Sequence, residues 1–232
     1  MSQHIFVATP AFNNKVNTQF TLSLIALNIL LKENGVSITN SLNQSGSLLV
    51  AERNRIVEDF YRSEATHLLC IDSDLGFPAE AVLAMLKANK EFVAGVYPAR
   101  SEDNTNEYLI RPKLTDNSII VKEGHLLAAE YIPAGFMLLS RSAIQKMRDK
   151  FPELYYEPKM EIRKNEHAYL FFNTEVYEGE FWGEDYVFCR RAREAGIDIW
   201  VDPLIQFDHD GKIGMLFEYM KENNMVKEKD EI

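Results

Sequence analysis

His67-Leu68-Leu69-Cys70-Ile71-Asp72-Ser73-Asp74-Leu75-Gly76-Phe77-Pro78 is the stretch whose reading decides the fold. An apolar run ends in two carboxylates one residue apart. A glycine and a proline follow, then a helical pattern. A short apolar run bounded by turn residues reads as a buried strand. In α/β proteins ligands bind beyond the carboxyl ends of strands. Asp72 and Asp74 repel each other there unless a cation lies between or beside them. A divalent ion carrying a phosphate suits such a pair. The structural alternative is that Asp72 caps the strand turn and Asp74 precedes or caps the next helix.

Upstream, His4 to Thr9 is a β-rich run that Pro10 is expected to stop. A helix from about Thr18 to Asn34 closes at Gly35. Its Leu22 to Leu31 segment is strongly apolar, and Asn17, Thr18, Lys32 and Glu33 bracket it as a buried helix, too short for a membrane span. Val36 to Thr39 alternates like a strand, Ser45-Gly46-Ser47 is a turn, and Leu49 to Ser63 is a second helix with Val50, Ile56, Val57 and Phe60 as its apolar face. Downstream, Pro78 opens a helix to Asn89, and Phe92 to Tyr97 is a further strand. This alternation predicts a parallel sheet with crossover helices.

The rhythm then breaks. Ser101 to Arg111 is polar, and Lys113 to Tyr131 resembles two short strands around Lys122-Glu123-Gly124. Phe136 to Leu139 reads as a strand and Arg141 to Lys150 as a helix. Phe151 to Glu180 is long, aromatic and irregular, the pattern of a mobile loop or lid. Gly183 to Ala195 is a helix and Ile197 to Val201 a last strand; Phe207-Asp208-His209-Asp210-Gly211 ends the folded part of the site. One mixed α/β domain over residues 1–225 is expected, with a nucleotide-binding half near 1–100, an acceptor half near 101–225, and a charged tail at 226–232.

The 232 residues are 46% hydrophobic and 26% charged, enough for one sizeable core. A net charge of −10 argues against broad adhesion to nucleic acid or anionic membrane, though not against a local basic groove. Met1 to Val7 is too short and polar for a signal peptide. Cys70 and Cys189 read as reduced packing residues of a cytoplasmic protein.

Further constellations carry chemistry. His209 among Asp208, Asp210 and Gly211 offers an imidazole beside carboxylates, a set that favours Mn²⁺ over Ca²⁺; otherwise it is a turn histidine. His4, His67, His125 and His167 have no such setting. Glu180-Phe181-Trp182-Gly183-Glu184-Asp185 places acids at a helix start, where the dipole stabilises them. Alternatively Asp185 or Glu184 is a general base for an acceptor hydroxyl, with Trp182 stacking on a sugar or base. Arg53 or Arg55 can reach a nucleotide's phosphates or the Asp cluster, with Arg100 and Arg111 as weaker candidates. The Thr9 hydroxyl and nearby amides can meet a nucleotide base, with Phe12 alongside. No GxGxxG or Walker lysine motif occurs.

In this order the pieces resemble the GT-A-fold glycosyltransferases, especially their short single-domain inverting members and most of all the small phage-encoded branch. Ile71-Asp72-Ser73-Asp74 stands as the DxD motif and Trp182-Gly183-Glu184-Asp185 as the acceptor-side acidic motif. Ala94-Gly95-Val96-Tyr97-Pro98, Pro133-Ala134-Gly135-Phe136-Met137-Leu138 and His209 support them. The resemblance implies a Rossmann-like, mostly parallel sheet with flanking helices and a small antiparallel portion. It implies a hexosyl- or pentosyltransferase using a nucleotide diphosphate sugar, UDP-sugars favoured. Thr9, Pro10 and Ala11 would lie near the base; Arg53, Asp72, Ser73 and Gly135 near the nucleotide sugar. Asp74 and His209, with Asp72 at the ribose or the ion, would hold Mn²⁺ or Mg²⁺. Asp185 beside Glu184 would be the base, and Phe136, Trp182 and Gly183 would meet the acceptor.

Two other classes compete. One is a non-catalytic nucleotide-sugar or glycan-binding module on the same fold, which has no need of Glu184 and Asp185. The other is an Asp-pair phosphohydrolase or nuclease, which usually gathers more acids around two metals. A saccharide, a lipid-linked sugar or a protein is an allowed acceptor, as is, in the phage-type reading, a modified base in DNA. The last needs Lys159, Arg163, Lys164, Arg190, Arg191 and Arg193 to form a positive face rather than a solvated loop and helix.

Overall fold

The computed structural model describes residues 3–45, 48–100, 107–116, 120–157 and 167–226. β1 (His4–Phe12), α1 (Thr18–Glu33), β2 (Ser37–Ser45), α2 (Leu49–Arg62), β3 (His67–Ile71), β4 (Leu75–Gly76), α3 (Ala79–Lys87) and β5 (Phe92–Ala94) form the first part. β6 (Arg111–Pro112), β7 (Lys122–Glu123), β8 (Leu126–Tyr131), β9 (Phe136–Ser140) and α4 (Arg141–Lys150) follow. A 3₁₀ turn at Pro152–Leu154 leads into β10 (Tyr155–Tyr156), β11 (Ala168–Tyr169), β12 (Glu175–Tyr177) and β13 (Glu180–Trp182). Then come α5 (Glu184–Glu194), β14 (Ile199–Val201), β15 (Gln206–His209), β16 (Lys212–Met215) and α6 (Leu216–Glu222).

The fold is α/β. The central sheet has the order β2-β1-β3-β9-β5-β14-β8-β6, with β7 also paired to β8. β1, β2, β3, β5 and β14 run one way, while β8 and β9 run against them. The expected mostly parallel sheet with an antiparallel portion is what forms. Strands from before and after residue 100 interleave, because β9 inserts between β3 and β5.

Side chains alternate across this sheet as the pleat requires. Phe6 and Ala8 of β1, Leu68 and Cys70 of β3, and Met137 and Leu139 of β9 pack with α2, α4, α5 and α6. Ile5 and Val7, Leu69 and Ile71, and Phe136 and Leu138 pack on the other side with α1 and α3. Two cores thus share one sheet. Among the described residues no helix is long and apolar enough to cross a membrane.

Several expectations change. Pro10 does not stop β1, which continues to Phe12 along β2. Pairing with β3 ends at Ala8, so Pro10 has one neighbour strand and its missing N–H is tolerated as on an edge. α1 is buried on one face only; Leu22, Ile25 and Ile29 are exposed. Beyond Gly211, two elements not foreseen follow within the expected 1–225 domain: β16 hairpins onto β15 and α6 adds Leu216 and Met220 to a core. The described part of 151–180 is tied down. Phe171 and Phe172 are fully buried, and Asn54 of α2 holds Phe172 by both its N–H and its C=O at 2.8 Å. The expected Gly46 turn, most of the polar 101–111 loop, the 227–232 tail and Lys159, Arg163 and Lys164 lie outside the described residues.

Candidate active site

β3 delivers Asp72 to the carboxyl end of the sheet, and a tight turn closes with Leu75 N–H donating to Asp72 C=O. The Asp72 N–H donates to Gly135 C=O at 2.8 Å, which fixes the β3 and β9 ends together. Arg53, buried on α2, donates through Nη2 to the Asp72 carboxylate at 3.1 Å and through Nη1 to Ala134 C=O at 3.4 Å. Its Nε lies 3.7 Å from a Glu184 carboxylate oxygen. Burial opposes its charge, but Asp72 first and then other neighbours more than compensate, and its pKa is raised. Arg55 is instead half exposed and pairs with Glu52, so Arg53 is the arginine of that pair that reaches the Asp cluster. Tyr97 places its hydroxyl 3.5 Å from Asp72 Oδ2. A Cβ on Gly135 would collide with Tyr97 and Asp72, so only glycine lets this backbone approach.

Asp74 sits across the turn. β4 pairs antiparallel with β15, His209 opposite Leu75 and Asp208 opposite Gly76, and this brings His209 Nε2 to 3.7 Å from Asp74 Oδ2. His209 Nδ1 lies 2.6 Å from Pro98 C=O. A carbonyl only accepts, so Nδ1 carries a proton. Burial opposes charge on the ring, but the bonds to Asp74 and to the Pro98 carbonyl outweigh it and the His209 pKa is raised, which favours a ring that also donates from Nε2 to Asp74. An Nδ1–H held by a carbonyl is the arrangement of a metal-ligating histidine, whose Nε2 becomes a ligand once that nitrogen gives up its proton. The guanidinium of Arg100 also contacts Asp74. Burial raises the Asp74 pKa, but the His209 bond and Arg100 outweigh it and the net direction is down. An open cavity of about 280 Å³ beside Asp74 is lined by Asn17, Asp208, Asp210 and Gly211.

Among the described residues no set of three or more His, Cys, Asp or Glu converges on one point. The donor set Asp74 and His209 nevertheless fits Mn²⁺ or Mg²⁺ held by few protein ligands, with phosphate oxygens and water completing the shell.

The second acid pair opens α5. Gly183 is the N-cap, and Glu184 and Asp185 occupy the first turn. The Asp185 carboxylate accepts from Tyr186 N–H at 2.9 Å. Its pKa is raised, by burial first and by the Glu184 charge second. Dipole stabilisation and a base role coexist at such a position.

Other expected contacts are not where the sequence put them. Phe136 is fully buried between Phe77 and Phe207, at ring distances of 5.1 and 4.9 Å, and its side chain cannot meet an acceptor. Trp182 points inward onto Tyr131 and Tyr177, because the pleat of β13 turns it to the core. Thr9, Pro10 and Ala11 are buried by the continuation of β1; Phe12 is the exposed residue at that strand end. Ser73, partly exposed, accepts from Asn17 N–H through its C=O at 2.8 Å, a turn contact. The α5 arginines face their own protein. Arg190 pairs with Glu175 at 2.5 Å and Glu194 at 2.6 Å, Arg191 donates to Leu170 and Phe171 carbonyls, and Arg193 donates to the Tyr131 hydroxyl at 2.7 Å. Tyr97 joins the site without having been singled out in the sequence, where it reads only as the end of the Phe92–Tyr97 strand and as part of the Ala94–Pro98 segment.

No protein-family model matches the chain, and no curated protein sequence does. Solved structures do. A197 from STIV matches with a TM-score of 0.50 at 14% identity, over 92% of this chain and 93% of that one. GalNAc-T7 with UDP, GalNAc and Mn²⁺ matches at TM-score 0.45 and 9% identity, over 90% of this chain and 44% of that one. TarS 1-349 of S. aureus matches at 0.43 and 16% identity, over 87% and 58%. This chain therefore spans less than two thirds of the latter two, and at such identities the likeness to A197 speaks for a shared fold alone.

Proposed function

We propose that this protein is a metal-dependent glycosyltransferase of the GT-A type, small and single-domain, moving a sugar from a nucleotide diphosphate sugar to an acceptor hydroxyl. One observation carries the reading. Arg53 joins Asp72 at the end of β3 to Glu184 at the start of α5. One buried guanidinium therefore lies beside both the donor-side carboxylate and the acceptor-side acid pair, and Asp74 with His209 lies across the Asp72–Leu75 turn. A phosphohydrolase would need more acids around two ions than converge among the described residues.

Asp74 and His209 would hold the ion, and Asp72, already engaged by Arg53 and Tyr97, would face the ribose. A bound Mn²⁺ or Mg²⁺ would neutralise charge developing on the departing diphosphate. Arg53 holds the Asp72 carboxylate in place. Asp185 takes the proton of the acceptor hydroxyl as that oxygen attacks the anomeric carbon and the bond to the diphosphate breaks, with inversion. Burial raises its pKa toward the range useful to a general base. Burial also pushes the Cys70 and Cys189 thiols up to about 12, as inert packing groups suited to a cytoplasmic protein.

Calorimetry with UDP, with and without Mn²⁺, tests the reading. Mn²⁺ should strengthen UDP binding, and Asp74→Ala should weaken the Mn²⁺-dependent part by at least about tenfold. UDP affinity indifferent to both Mn²⁺ and the substitution would sink the metal assignment. Metal-dependent binding with no UDP-sugar turnover under any acceptor would favour the non-catalytic module.

A further inference from the structure

The hairpin of β12 and β13 carries an apolar pair that the site described so far does not use. Val176 and Phe181 lie directly opposite each other across it and are each 75% exposed. On the other face Tyr177 and Trp182 pack at 4.6 Å, and Trp182 continues onto Tyr131. The turn residues Glu178 and Gly179 have φ of 51° and 84°, the positive pair that tight two-residue hairpins favour. A rigid, core-anchored support thus holds an aromatic ring and a valine out in water, where burial would favour both. Phe181 stands four residues before Asp185, within about 14 Å of it along even a fully extended chain.

Charge decides what can cover the pair. From Glu175 to Asp185 the chain carries Glu175, Glu178, Glu180, Glu184 and Asp185, with no lysine or arginine. Glu178 and Glu180 are exposed. The nearest cations by sequence, Arg190, Arg191 and Arg193 of α5, are engaged by Glu175, Glu194, two carbonyls and Tyr131. A nucleic acid needs cations at its phosphates and, among the described residues of this hairpin, would meet carboxylates. A sugar ring instead offers an apolar C–H face to an aromatic ring and hydroxyl donors to carboxylates.

We propose that Phe181, backed by Val176, is the acceptor platform beside Asp185 and that the acceptor is an uncharged saccharide. The inference rests on the glycosyltransferase reading and names its acceptor class.

Equilibrium binding of the full chain to an array of uncharged, sulfated and phosphorylated oligosaccharides tests it, with duplex DNA containing 5-hydroxymethylcytosine on the same surface. No donor is needed, so the acceptor face is read separately from UDP·Mn²⁺ binding. The expected result is retention of uncharged glycans, weakened about tenfold or more by Phe181→Ala and restored by Phe181→Tyr. UDP·Mn²⁺ affinity should stay the same in both variants. Binding to DNA or anionic glycans alone, no glycan bound at all, or unchanged glycan affinity in Phe181→Ala would each overturn the proposal. A wild-type protein that binds uncharged glycans through Phe181 but not UDP·Mn²⁺ would keep the platform and overturn the transferase reading.

Discussion

Arg53 shows what a single residue does at this site. Its guanidinium is buried, and both its carboxylate neighbours, Asp72 and Glu184, are partly open to solvent. A buried cation facing two half-open anions fixes their positions and leaves them able to meet a ligand. Asp185, next to Glu184, has the opposite environment. Burial and a like charge raise its pKa. A general base works ionised, so transfer should rise as pH climbs through that raised pKa, with the acid limb above that of an ordinary aspartate. Glu184→Gln removes the like charge and should move the limb to lower pH. Asp185→Asn should cut transfer by about 10²-fold or more with UDP·Mn²⁺ binding intact. Profiles of kcat/KM against pH check both. A limb that stays put in Glu184→Gln, or a variant at residue 185 that loses its fold as well as its activity, would make Asp185 a cap. The identities of Asp72, Asp74, Glu184 and Asp185 as candidates were legible because acids at a strand end and a helix start are local patterns. Which arginine serves Asp72 was not, since that depends on where α2 packs.

Elements place these residues by pairing rather than by propensity. β4 is only Leu75–Gly76, too short to be recognised as a strand from sequence. Its pairing with β15 nonetheless sets His209 beside Asp74. Gly76 makes the approach possible. A Cβ there would come within 3.0 Å of Gln19 Cβ and 3.2 Å of Asp208 Cβ. Gly76→Val should therefore push β15 away, weaken Mn²⁺-dependent UDP binding about tenfold, and cost roughly 1–3 kcal/mol of stability as overpacking does. Calorimetry and a denaturant melt read the two effects. Full Mn²⁺-dependent affinity in that variant would mean that the β4–β15 contact does not build the site. The same logic explains Trp182 and Phe181. Both are aromatic and adjacent in sequence, and only the pleat of β13, fixed by packing on Tyr131, decides which is inside.

At the scale of the molecule, the sheet carries a core on each face, and the α5 side ties the helix that bears Glu184 and Asp185 to it. Phe188 of α5 is fully buried, stacked on Phe172 at 4.2 Å and edge-on to Phe92 at 6.0 Å. Phe188→Ala should destabilise by roughly 3–5 kcal/mol through the cavity it leaves. A thermal melt reads it, and a Tm within a degree of wild type would show that α5 is held by something other than this contact. Net charge −10 belongs to this scale too, and it fits an acceptor without phosphates better than a polyanion. The sequence by itself determined the α/β class, most of the helices, the buried strand before Asp72 and the two acid pairs. These follow from hydrophobic period, capping and turn chemistry, which act over a few neighbouring residues. Only the tertiary structure decided that β9 runs antiparallel between β3 and β5, that β1 passes through Pro10, and that His209 meets Asp74. It also turned Phe136 and Trp182 inward and left Phe181 in water. Those outcomes depend on which strand edge and which side of the pleat lie free once distant segments pair, and no local pattern carries that information.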